Sequence, residues 1–234
     1  MLTFNFKKIS IDKGSKILDI GCGEGRHIFG AMQAFESPHL IGMDLDLNAL
    51  DQCKRSLTLF EELDHVGTKF VHSSVYDLPF KDGEFDLVIC SEVLEHLEDY
   101  NLALQEIQRV LSPKGYFLAS VPSYLPEKIC WSLSKDYQNM PGGHLRIFYK
   151  SKIISTIKDK GFQLISSERF HALHSPYWWL RCIFWKSQES NPIIQLYKKI
   201  LERQILKRTP VLNFIEQVFN PVLGKSLSLY FKKF

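Results

Sequence analysis

Short apolar runs alternate with longer amphipathic ones through the first half of the chain. Lys16-Ile-Leu-Asp-Ile20 is an apolar run stopped by Gly21-Cys-Gly-Glu-Gly25, the pattern of a buried parallel strand running into a glycine turn. A helix is predicted from about Glu24 to Phe35. A second buried strand follows over Leu40–Asp44, then a helix capped by Asp46 or Asn48 and continuing to about Leu59. Lys69–His72 reads as a third strand and, after the Asp82-Gly83 turn, Phe85–Cys90 as a fourth. The next helix is amphipathic, with Leu102, Leu104, Ile107, Val110 and Leu111 as its apolar positions, and Ser112-Pro-Lys-Gly115 should end it. Tyr116–Val121 is the fifth strand. Strands alternating with helices at this spacing predict a doubly wound α/β fold, a mostly parallel sheet with helices on both faces. Ligands bind such sheets beyond the carboxyl ends of the strands.

The texture changes after Val121. Residues 122–146 hold Pro122, Pro126, Pro141 and the pair Gly142-Gly143, and read as a long irregular connection. A helix from about Lys150 to Lys160, closed by Gly161, and a strand from Phe162 to about Phe170 follow. Asn191-Pro192 and Thr209-Pro210 have the signature of helix starts. The first of these helices places Ile193, Leu196, Tyr197, Ile200 and Leu201 on one face, with Lys198, Lys199, Arg203 and Lys207 outside it. Lys225–Phe231 alternates as a strand does.

Composition adds limits rather than detail. The 234 residues are 45% apolar and 24% charged, enough for a substantial core. No apolar run reaches the ~18 residues of a membrane-spanning helix, and Met1–Ser10 lacks the order of a secretory leader. Cys22, Cys53, Cys90, Cys130 and Cys182 are odd in number and scattered, which points to reduced thiols and a cytoplasmic location. The net charge of +3 is uneven: residues 1–180 carry −4 and residues 181–234 carry +7. The basic end suits phosphate, an anionic membrane surface or simply a solvated helical face.

A glycine loop between strand and helix lets a ligand approach the backbone closely. Here it reads Asp-x-Gly-x-Gly-x-Gly, with Asp19 ahead of Gly21, Gly23 and Gly25. An acid in that place repels a pyrophosphate and attracts a cation such as the sulfonium and ammonium of S-adenosylmethionine. Asp44 ends the second strand, where a carboxylate can accept both hydroxyls of a ribose. Asp77-Leu78 follows the third strand, on the side where an adenine edge would lie.

The ordered set ILDIGCGEG, IGMDLD, VYDLPF, FDLVICSEVLEHLED and RVLSPKGYFLASVP resembles the successive motifs of class I S-adenosylmethionine-dependent methyltransferases, closest to their quinone-methylating, small-molecule branch. The resemblance is strong over about residues 15–121 and looser over GGHLRIF and onward to Phe170. It implies that Gly21, Gly23 and Gly25 line the methionine part of the cofactor, with Asp19 near its ammonium. It further implies that Asp44 binds the ribose, that Leu45 packs on adenine, that Asp77 accepts from the adenine amino group and that Leu78 lies beside it. The family pattern ends in a sixth and a seventh strand, giving a seven-stranded sheet. Phe162–Phe170 fits the sixth strand and Lys225–Phe231 the seventh. The expected organisation is therefore a core over residues 1–170, a helical insertion or cap over 171–224 and a closing edge strand over 225–234.

Methyl transfer from a sulfonium is a displacement with a good leaving group, so positioning supplies much of the rate and an oxygen or carbon acceptor also needs a base. His96, after the fourth strand, and His144, in the connection, are the candidate bases. Glu92, Glu95 and His96 are spaced to share one helix face and there to bind a divalent ion, as in some O-methyltransferases with a similar motif; helix capping is the alternative, and no metal is expected. Tyr177, Trp178, Trp179 and Trp185 sit beside the basic helix, which suits either the lining of an acceptor pocket or a membrane interface. The expected partner is a small-molecule acceptor, amphiphilic or lipid-linked, with peripheral contact to an anionic membrane as a corollary. An RNA 2′-O-methyltransferase and a non-catalytic cofactor-binding regulator are the rivals. The net acidity of residues 1–180 and the absence of an RNA-binding module speak against nucleic acid.

Overall fold

The computed structural model describes residues 1–58, 67–207 and 209–234. Seven strands form one sheet: β1 (Lys16–Ile20), β2 (His39–Asp44), β3 (Lys69–His72), β4 (Phe85–Ser91), β5 (Leu111–Pro122), β6 (Phe162–Phe170) and β7 (Ser226–Lys233). Their order is β3-β2-β1-β4-β5-β7-β6, with β7 antiparallel to both neighbours and the other pairings parallel. The chain order reverses beside β1, so the crevice at the ends of β1 and β4 is the place where such sheets hold ligands.

Successive side chains of a strand point to opposite faces, and both faces here are covered. Leu18 and Ile20 of β1 join Val88 and Cys90 of β4 and Phe117 of β5 in one core. Ile17, Leu87, Ile89 and Leu118 face the other way, onto Phe4, Phe6 and Ile28. Helices α1 (Arg26–Ala34), α2 (Leu47–Leu57), α3 (Tyr100–Val110) and α6 (Lys150–Lys158) flank the sheet. Asp46 caps α2 by accepting the Asn48 N–H at 2.8 Å, as expected; position 59, where that helix was expected to end, lies outside the described residues. Helix α3 starts at Tyr100, where Asp99 accepts the N–H groups of Asn101 and Leu102.

Four expectations need correction. Residues 122–146 are not irregular throughout, because α4 (Tyr124–Leu133) and α5 (Lys135–Gln138) form within them. Pro126 does not prevent this: it is the third residue of α4, in the first turn, where an N–H would have no helical partner. Leu102, assigned to the apolar side of α3, is exposed, and the buried positions are Ala103, Leu104, Ile107 and Val110. Residues 225–234 do not close the sheet at its edge. β7 lies between β5 and β6, buried from Ser226 to Phe231, and β6 is the edge.

The fourth correction concerns α7 (His174–Ile183), α8 (Pro192–Lys207) and α9 (Pro210–Leu223), which fill the stretch between β6 and β7. Helix α8 buries Ile194, Leu201 and Gln204, one stripe at helical spacing, with Tyr197 held by a hydrogen bond from its hydroxyl to the Leu173 carbonyl at 3.0 Å. Ile193, Leu196 and Ile200, expected on the same face, point outward. The helix has two apolar stripes, and packing against α7 selected the less obvious one.

Candidate functional site

The first cavity lies at the carboxyl ends of β1, β2 and β4 and encloses about 350 Å³. Its wall starts with Gly21, at φ +66, where an added Cβ would stand 2.4 Å from Val93 Cγ2. Only glycine allows this turn and this closeness. The loop is tied to the next strand by Asp44, whose Oδ2 accepts the Gly23 N–H at 2.8 Å while Oδ1 accepts the Asp46 N–H at 2.9 Å. Each carboxylate oxygen keeps further accepting capacity toward the cavity that Asp44 lines. Leu45 also lines it and is 65% exposed, an apolar surface open to a flat ligand.

Asp19 lies beneath the loop. Its side chain is buried, and neither carboxylate oxygen has a hydrogen-bond partner. Burial pushes its carboxyl up to about 8, with Arg26 pulling the other way and Asp44 adding to the rise. A buried carboxyl without a partner is costly. It fits a cationic ligand group, and the glycine loop fits a ligand packed on backbone, so these residues suit S-adenosylmethionine. Asp77 is exposed and Leu78 is packed in the core, its N–H donated to Glu106. Neither lines the cavity; Ser73 and Val75 of the same segment do.

Glu92 follows β4 in the left-handed region, at φ +55, a conformation that costs energy for a residue with a Cβ. A buried chain of hydrogen bonds supports it. Ser120 donates to Glu92 at 2.9 Å, Ser91 contacts Ser120 at 2.9 Å, and Ser91 meets both Thr3 and His27. Residues 92–99 form turns, so Glu92, Glu95 and His96 do not share a helix face. The carboxylate of Glu95 is instead fully buried, without partners, within 4.8 Å of ligand atoms on His96 and His144.

The two candidate bases do come together. The rings of His96 and His144 are 5.0 Å apart, and His96 lines the first cavity. Burial, and then His144, lower the pKa of His96, leaving its imidazole neutral near pH 7. His144 Nδ1 lies 2.7 Å from Glu127 on α4. Burial raises the Glu127 carboxyl, but His144, Lys225 and the Tyr137 hydroxyl outweigh that and hold it below the usual range. The loop bearing His144 is pinned by Arg146, which donates to the carbonyls of Leu97 and Glu98, and by the Leu145 N–H on the Glu95 carbonyl. The motif GGHLR thereby acts as a clasp on the segment after β4.

A second cavity, of about 290 Å³, adjoins the first, and Glu92 lines both. Its other walls include His171, His174, Trp178, Ile205 and Lys225. Burial lowers His171 to about 3 and His174 to about 4, so both imidazoles are neutral. Trp178 stacks under Arg181 and Lys225 and packs with Trp179 and Trp185 around Cys130, Tyr137 and Cys182, and Trp179 also donates to the Pro126 carbonyl. The tryptophans are half-buried and pack onto α4 and the cavity. Glu127 and Lys225 carried no signal in the sequence, since each is assembled into the site by contacts distant along the chain.

A family model described as a methyltransferase domain matches residues 18–119. A demethylmenaquinone methyltransferase from Staphylococcus saprophyticus is 32% identical over 150 residues, 62% of this chain and 61% of that protein. A fatty-acid O-methyltransferase from Mycolicibacterium smegmatis is 32% identical over 106 residues, 45% of this chain and 36% of that protein. The chain thus spans less than two thirds of the length of either curated relative. Among solved structures, an S-adenosylmethionine dependent methyltransferase from Mesorhizobium loti shares the fold with a TM-score of 0.60, at 15% identity, over 97% of this chain and 94% of that one. The glycine loop, the Asp44 anchor and strands β1 to β5 fall where the domain match falls, so this part of the chain is similar to a methyltransferase domain, and the seven-stranded order is the fold it shares with the Mesorhizobium loti S-adenosylmethionine dependent methyltransferase.

Proposed function

We propose that this protein methylates a small molecule with an apolar body, which enters beneath α7 and α8 and meets the cofactor at Glu92. The observation that carries this reading is the pair of adjoining cavities with Glu92 in the wall of each. The first has the groups a cationic nucleoside needs. The second has an aromatic and an aliphatic wall, Trp178 and Ile205 with Met1, and polar groups at Arg26, Glu92, His171, His174, Lys225 and Ser226 to orient a ligand. Fatty acids and demethylmenaquinones, named for the two relatives, are molecules of this kind.

The bound cofactor supplies an electrophilic methyl group on a positively charged sulfur. Asp19 would pair with its ammonium, Asp44 would accept from the ribose and Leu45 would cover the base. A hydroxyl or acidic carbon acceptor must shed a proton as it takes the methyl, and neutral His96 can receive it. Its ring is oriented by the Gly143 carbonyl and backed by His144, which leans on Glu127. Helices α4 and α7 would exclude water from the acceptor side.

The outer surface of α9 supports peripheral contact with an anionic membrane. Val211, Phe214, Val218 and Val222 form an exposed stripe, and Glu216, the helix's one charged residue, is turned inward. On α8, Leu196, Ile200 and Leu206 share a surface groove with Lys199, Glu202, Arg203 and Lys207. An apolar stripe beside basic residues is the chemistry of an interfacial helix. Among the described residues, no helix is long and apolar enough to cross a membrane. The test of the activity is methyl transfer from labelled S-adenosylmethionine to a panel of quinols, fatty acids, small polar amines and short RNAs. Labelling confined to the first two supports the proposal, and labelling confined to amines or RNA overturns it.

A further inference from the structure

Buried polar atoms nearly always have partners, and those without one call for an explanation such as a bound ion. Several of them gather between the end of β6 and helices α7 to α9. His171 Nε2, His174 Nδ1 and Glu216 Oε1 are each buried and unpartnered. These three side chains are also brought together: one ligand atom from each lies within 4.8 Å of the others, with His171 Nδ1 4.0 Å from Glu216 Oε1. That spacing is too long for a hydrogen bond.

The backbone is strained at the first of them. His171 directly follows β6 and sits at φ +70, in the left-handed region. The turn is held there from α9, since Asn220 accepts the Ala172 N–H at 3.0 Å and Ser175 donates to the Leu223 carbonyl at 2.6 Å. Glu216 is held in turn by the side-chain amide of Gln204 on α8, which donates to its other oxygen. A strained imidazole, a second imidazole three residues on and an oriented carboxylate converge from three elements on one point.

We propose that His171, His174 and Glu216 form a binding site for a first-row divalent transition ion, best suited to zinc, with an open coordination position toward the second cavity. Two imidazole nitrogens and one carboxylate oxygen select such an ion over magnesium or calcium, which prefer all-oxygen sets. Three protein ligands leave room for an exchangeable fourth, and Gln204 supplies the outer hydrogen bond that orients a ligating carboxylate. Metal–ligand bonds of about 2.0–2.2 Å require the three ligand atoms to draw together by on the order of 1 Å, within reach of small side-chain rotations. Because His171 and His174 line the second cavity, the open position would take a hydroxyl, carboxylate or enolate oxygen of the acceptor. This last role rests on the acceptor reading above; ion binding itself does not.

The test is titration of metal-free full-length protein with cobalt(II), read by visible absorption, and with zinc, read by calorimetry. One ion per chain is expected, with the intense visible bands of a four-coordinate cobalt site and at least a tenfold loss of affinity in both His171→Ala and Glu216→Gln. Folding of the variants is checked by their binding of S-adenosylhomocysteine, which should match the parent. No binding by the parent at micromolar ion overturns the proposal. So does binding that survives both substitutions, which would place the ion elsewhere, as at Glu95, His96 and His144. Methylation of an acceptor without any ion would leave the methyltransferase reading intact while removing the ion's role.

Discussion

The Gly23 N–H donates to the Asp44 carboxylate at 2.8 Å, so the loop after β1 and the end of β2 are one unit. Replacing Asp44 by alanine removes both the acceptor for a ribose and the anchor of the loop. S-adenosylhomocysteine binding should weaken by about 1–3 kcal/mol, the value of a hydrogen bond to a charged group. Calorimetry reads this directly, and unchanged affinity would dismiss the ribose role.

The glycines of that loop should not be equivalent. Gly21→Ala places a methyl against Val93 in addition to its positive φ, whereas Gly23 meets nothing within 4 Å and carries only the conformational cost. That cost is on the order of 1 kcal/mol. Gly21→Ala is therefore expected to lower both melting temperature and cofactor affinity by more than Gly23→Ala. The reverse ranking would contradict the close approach to Val93.

Asp19 makes stability depend on pH in an unusual direction for an acid. Its folded-state pKa is raised to about 8 by burial, from an unfolded value near 3.8. Between these values the folded state holds the extra proton, so Asp19's contribution to stability is full below about pH 4 and is lost as pH rises toward 8. Thermal melts of the ligand-free protein should show this decline, and Asp19→Asn should flatten it. If Asp19 pairs with a cationic cofactor, binding near pH 7 should release a proton, detected as a dependence of the binding enthalpy on the buffer used.

The tryptophans should separate by role. Trp178→Ala should reduce turnover of an apolar acceptor and leave S-adenosylhomocysteine affinity unchanged, because Trp178 lines the second cavity and not the first. Trp179→Ala removes packing on α4 and the hydrogen bond to the Pro126 carbonyl, so its main effect should be a loss of a few kcal/mol in stability. Equal effects of the two on turnover at a temperature where both are folded would count against this division.

Membrane contact, in contrast, should depend on α9. Co-sedimentation with vesicles containing anionic lipid should fall when Phe214 and Val218 are replaced by serine, and salt should weaken it. Binding that is lost with Trp178 and Trp179 instead would restore the interface to the aromatic cluster.

The strands β1 to β7, the glycine loop and Asp44 were legible because each depends on local pattern: an apolar or alternating run, a turn residue, an acid at a strand end. What escaped depends on partners far along the chain. The five apolar and aromatic positions of α8 (Ile193, Leu196, Tyr197, Ile200 and Leu201) could not be ranked without knowing that Tyr197 meets the Leu173 carbonyl. The helix α4 was hidden because Pro126 reads as a breaker unless its place in the first turn is known. Glu127, read within an irregular stretch, acquires its function only from His144, Tyr137 and Lys225. Asp77 and Leu78 were placed by their rank in the motif order, which fixes the segment but not which of its side chains face the cavity.

The position of β7 has a consequence for biosynthesis. It is made after β6 and the three helices that follow β6, yet it is inserted between β5 and β6. Until it emerges, the long strand β5 presents an open edge of unpaired backbone and apolar side chains, a template for pairing with another chain. A nascent chain would pass through that exposed state for as long as residues 171–225 are being made. Interruption anywhere in that stretch leaves a fragment with a complete glycine loop and an uncovered β5 edge, the surface on which a second chain or a chaperone would act.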